Sequence, residues 1–153
     1  MVSTAKWGAI VGVAIYIVSQ AITLIGQIAF GFATPADPSH PGKIALGCVD
    51  LLLIAFAFST SGFYAGRETR VAGFGAIAGM ITFAVYGLLL GLLPFGSHVT
   101  PGVGGATAGQ DVVLGIITIV IFLSIAALIG WLGGRPGAAR GLASARHANE
   151  SGK

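Results

Sequence analysis

Charge is scarce in this chain. Only 8% of its 153 residues are Asp, Glu, Lys or Arg, while 55% are hydrophobic. An ordinary soluble domain carries about 25% charged residues. A water-soluble fold of this size is excluded, because one small core leaves much of the chain exposed. Cysteine is nearly missing too. Cys48 stands alone, so no intrachain disulfide can form, and no CxxC or zinc-type spacing exists.

Other absences narrow the chemistry. Four long apolar runs contain no His, which argues against a haem buried between two histidines. They contain no Lys for a Schiff base and no Arg series for sensing voltage. No Ser-His-Asp or Cys-His set, no HExxH and no phosphate-cradling Gly loop with its Lys-Ser/Thr is found. His40 and His98 lie in connectors with only Asp37 as an acidic neighbour, and a metal site needs three or four convergent ligands. The expectation is therefore no enzyme, no metal and no cofactor. The basic C-terminal stretch has no interleaved aromatics, so nucleic acid is not an expected partner.

What is present points to the bilayer as solvent. The apolar runs cover about 7–32, 44–64, 71–93 and 112–132. Each is about 20 residues or longer, enough to cross a ~30 Å hydrocarbon core at 1.5 Å per residue. They are continuously apolar, unlike the short alternating strands of a barrel. Glycine is abundant, at 25 residues, as suits helices that pack closely in lipid. "TPADPSHPGK" (34–43) and "PFGSHVTPGVGGATAGQ" (94–110) are breaker-rich connectors, and "GRETR" (66–70) makes a tight hairpin between the second and third runs. A cleaved signal peptide is not expected, since the first run far exceeds the usual apolar core of such a peptide.

Lysine and arginine set the orientation. Lys6, Arg67, Arg70, Arg135, Arg140, Arg146 and Lys153 fall on one side, and Lys43 alone on the other. The positive-inside rule then puts both termini in the cytoplasm, with Arg67, Arg70 and Arg135 as topology anchors. The expected fold is an all-α, integral membrane four-helix bundle of up-down topology. Residues 1–133 form the four-span domain, and 134–153 a disordered basic cytoplasmic tail. The expected location is the inner (cytoplasmic) membrane of a bacterial cell, as a multi-pass protein.

Asp50, in "LGCVDLLLIAF", is the only charge inside any run. It costs about 2.5–3.5 kcal/mol at a helix centre, which neighbouring Leu and Ile offset. Counting seven residues inward from each outer end puts Asp50, Gln27, Tyr86 and Thr118 near one depth, roughly 10 Å in. At 100° per residue, Gly12, Tyr16, Gln20, Thr23 and Gln27 share one face of the first helix. Gly75, Gly79, Thr82 and Tyr86 share one on the third. An unsatisfied polar group is costly in hydrocarbon, so these stripes should turn inward, with Asp50 bonded to Gln27, Tyr86 or Thr118. Such a layer acts either as packing glue or as a functional intramembrane site.

Two GxxxG spacings complete the set. Gly75–Gly79 should pack within the bundle, and Gly87–Gly91, further round the helix, should meet another copy. The functional expectation is a non-enzymatic structural, accessory or partner-binding membrane component, working in the lipid bilayer as a homo-oligomer or within a larger membrane complex. The alternative is a small oligomeric transporter or channel with Asp50 as its proton or cation site.

Overall fold

The computed structural model describes residues 2–30, 41–92 and 108–151. Among them it is all-helical. The helices are α1 (Val2–Phe30), α2 (Pro41–Thr69), α3 (Gly73–Leu92) and α4 (Ala108–Ser151). Each is long and apolar enough to cross a membrane, which is compatible with a small multi-pass membrane protein. The exposed Ile, Leu, Val and Phe side chains along them would drive aggregation in water. In a bilayer they simply face acyl chains.

Helix ends follow local chemistry. α2 opens on Pro41, whose missing N–H and fixed φ suit a first helical position. It runs past Tyr64 to Thr69, because a helix entering the polar zone keeps its own hydrogen bonds while Arg67 and Glu68 reach water. The Thr69 hydroxyl donates to the Ala65 carbonyl at 2.7 Å and accepts from the Val71 amide at 3.4 Å. Arg70 then takes φ 60°, the left-handed value that ends many helices. Three residues later α3 begins.

α2 and α3 form a central hairpin, and α1 and α4 pack on either side of it with no contact between them among the described residues. α1 runs against α2, with Trp7 stacked on Tyr64 and Ile15 and Tyr16 clustered with Ala57 and Tyr86. α1 lies along α3 through Gly8 and Gly12, where an added Cβ would stand 2.8 Å from Ile81 and 2.9 Å from Val85. α4 joins the other side of the hairpin through glycine. A methyl group on Gly62 would overlap the Gly130 carbonyl, one on Gly79 the Ala126 carbonyl, and one on Gly130 the Gly75 carbonyl.

Residues 134–151 differ from the disordered tail expected from the sequence. They continue α4 as helix through Pro136. The cause is packing: Gly137 lies against the Phe63 carbonyl and Gly141 against the Arg67 carbonyl. α2 thus supplies a template for the helix beyond the apolar run. Pro136 removes one ladder donor from the helix.

Candidate functional site

The polar interior is built mostly from hydroxyls. Ser61 and Thr82 are fully buried, and each spends its proton on its own helix. Ser61 donates to the Phe58 carbonyl at 3.0 Å and Thr82 to the Ala78 carbonyl at 2.9 Å. These bonds let a small polar side chain sit where two backbones come close, with no interhelical partner needed. Thr82 occupies the turn that Gly12 approaches.

Between α1, α2 and α3 lies a polar cluster beside the carboxylate of Asp50. Tyr86 is buried, and its hydroxyl shares a 3.3 Å hydrogen bond with Ser19 of α1. Asp50 of α2 lies close enough to act electrostatically on that tyrosine. Asp50 is half-buried, and its Oδ1 atom is shielded and has no hydrogen-bond partner among the described residues. An unpaired buried carboxylate oxygen is expensive in a low-dielectric setting. It is the arrangement that a proton, a cation or a partner's donor would relieve.

Not every expected member joins this cluster. Thr118 lies on the exposed face of α4, on the far side of the hairpin from α1. α4 is exposed throughout residues 115–122. Gln20 is partly buried, and Thr23 is exposed, returning its proton to the Ser19 carbonyl at 3.0 Å. The side chain of Gln27 lies outside the described residues, as do His40 and His98. The buried face of α1 runs through Thr4, Gly8, Gly12, Ile15, Tyr16, Ser19 and Gly26, with Gln20 at its edge. Ser19 itself was legible. It sits three residues after Tyr16 and seven after Gly12, at helical spacing on the same face.

The glycine pairs separate clearly. Gly75 and Gly79 are buried against Gly130, Gly134 and Ala126 of α4. Gly87 has nothing within 4 Å of an added Cβ. The surroundings of Gly91 lie outside the described residues. Sequence reasoning missed Gly62–Gly66, Gly130–Gly134 and Gly133–Gly137–Gly141, although all carry the same four-residue spacing.

Cations and aromatics gather at one end of the bundle. Arg135 lies over the Trp131 ring at 4.6 Å, and Arg140 over Phe63 at 5.3 Å. The Ser3 hydroxyl donates to the Glu68 carboxylate, tying the start of α1 to the end of α2. Arg67 and Arg70 are exposed. Aromatic rings beside Arg and Lys are the usual furniture of a membrane–water boundary. Among the described residues, no three His, Cys, Asp or Glu side chains converge as metal ligands.

Compared with known protein families, curated proteins and solved structures, the chain matches none. Its function has to be read from its own residues.

Proposed function

We propose that the chain is a non-enzymatic, multi-pass component of the cell's inner membrane. Its role is structural, accessory or partner-binding, and the cation-rich end of the bundle faces the cytoplasm. On this reading the helices run up and down, with both termini inside. The observation that carries it is the glycine seam joining α2, α3 and α4. Backbone lies on backbone there, which leaves no room for a path along the seam. Such contacts serve rigidity, since van der Waals packing rather than a hydrophobic force holds helices together in lipid.

A second reading rests on Asp50. Its shielded and unpartnered Oδ1 is what a proton or cation site in a small oligomeric transporter would display. Flux decides between the two. Wild-type protein and Asp50→Asn are reconstituted in liposomes, and proton and cation flux are followed under an imposed gradient. The structural reading expects no flux above empty liposomes from either protein. A wild-type flux that disappears in the variant would replace it with the transport reading.

A further inference from the structure

At the cation-rich end, an open cleft of about 520 Å³ lies where α1 begins, α2 ends and the last stretch of α4 passes. Its walls include Trp7, Tyr64, Arg67, Glu68, Arg70 and Ser144. That volume suits a small polar group with part of its attached chain.

The chemistry of the walls selects the ligand. Trp7 and Tyr64 are stacked, with centroids 4.5 Å apart and planes within 16°, so they form a fixed aromatic face. Neither Arg67 nor Arg70 has an ion-pair partner among the described residues. The carboxylate of Glu68, the one acid in the wall, already accepts from Ser3. Arg70 is held at φ 60°, which a side-chain-bearing residue rarely adopts, by the turn that Thr69 builds. Gly141 lets α4 close on the Arg67 carbonyl. The cleft thus has α4 as its far wall, lined there by small side chains. Two unpaired guanidiniums beside an aromatic face match a phosphate carrying an apolar tail.

We propose that this cleft binds the phosphate of an anionic lipid headgroup, with Arg67 and Arg70 donating to its oxygens. The lipid's glycerol end lies against Trp7 and Tyr64. The site rests on the membrane reading above, since only at a bilayer surface would the headgroup arrive at this height.

The test uses the full chain carrying Trp131→Phe, so that Trp7 is the only tryptophan. It is reconstituted in phosphatidylcholine vesicles doped with brominated phosphatidylglycerol or, separately, brominated phosphatidylcholine. Quenching of Trp7 should favour the anionic lipid about tenfold, the usual scale for charge-assisted hydrogen bonds. Arg67→Gln with Arg70→Gln should abolish that preference. Ala145→Phe, which fills the cleft and changes no charge, should do the same. Arg146→Gln, outside the walls, should retain it. Equal loss in Arg146→Gln would overturn the site in favour of diffuse surface attraction. Loss of the preference on adding millimolar inorganic phosphate to the phosphatidylglycerol-doped vesicles would overturn the lipid as ligand and leave a soluble phosphate instead. Alkaline carbonate extraction keeps the two levels apart. Protein released from the vesicles defeats membrane residence itself, whereas retained protein without lipid preference defeats only the cleft.

Discussion

The two halves of α4 keep opposite company. From Ala126 to Gly141 the helix lies on the backbones of α2 and α3. From Gly115 to Phe122 every residue is exposed. One helix, with one apolar character, is zipped at one end and bare at the other. Hydrophobicity does not explain the difference, because lipid tails are as apolar as the Ile and Val of the bare half. Close approach does. Ile116, Ile117, Ile119, Val120 and Ile121 hold any neighbour away, while Gly130, Gly133, Gly134 and Gly137 admit one. Phe122, at the edge of the bare half, stacks on Phe83 of α3 with 6.3 Å between ring centroids.

The largest expected effect tests the zipped half. Gly130→Ala would drive a methyl group into the Gly75 carbonyl. Backbone on both sides leaves nothing flexible to yield. Overpacking of this kind costs about 1–3 kcal/mol, occasionally more. Titration of folded protein with denaturing detergent should show a loss at the top of that range. A change within ~0.5 kcal/mol, the scale of a neutral surface substitution, would mean that the seam does not hold the bundle.

Much of this arrangement is written in the sequence, but not all in the same way. Helix existence follows from run length, since nothing but a helix satisfies a 20-residue apolar backbone in lipid. Boundaries were less legible. Tyr64 looked like an end because charge follows it, yet Thr69 and Arg70 make the stop. The extension of α4 past Arg135 was hidden because its cause lies in α2, in the Phe63 and Arg67 carbonyls that Gly137 and Gly141 meet. The polar layer failed at Thr118 for a related reason. Counting residues yields a depth, but only the seam determines that α4 is drawn close at Gly130 and not at Thr118. Asp50 and Tyr86 come together because α2 and α3 share the hairpin, which the short "GRETR" turn did announce.

A smaller effect is expected where α1 meets the hairpin. Tyr86→Phe removes the partner of Ser19 and keeps the ring in the cluster of Ile15, Tyr16 and Ala57. Interhelical hydrogen bonds in membranes average about 0.6 kcal/mol, with a maximum of about 1.7. The same detergent titration should show a loss near the average, well below that of Gly130→Ala. A larger loss would move Tyr86 from packing glue to a keystone of the α1 contact, and would make the hydroxyl cluster the equal of the glycine seam.

The smallest effect should have the opposite sign. Gly115 belongs to the bare half, and an added Cβ there meets nothing within 4 Å. It lacks the small residues four positions away that Gly130 has in Ala126 and Gly134. With no close approach to protect, only the backbone term remains. Alanine in a helix interior is favoured over glycine by up to about 1 kcal/mol, chiefly because glycine loses more freedom on ordering. Gly115→Ala should therefore stabilise the protein slightly or leave it unchanged, while the same exchange at Gly130 destabilises it. If Gly115→Ala instead cost as much as Gly130→Ala, something must lie against the bare half in the assembled protein. The exposed run from Ile116 to Phe122 would then be an interface, and its partner could be sought by crosslinking from Gly115.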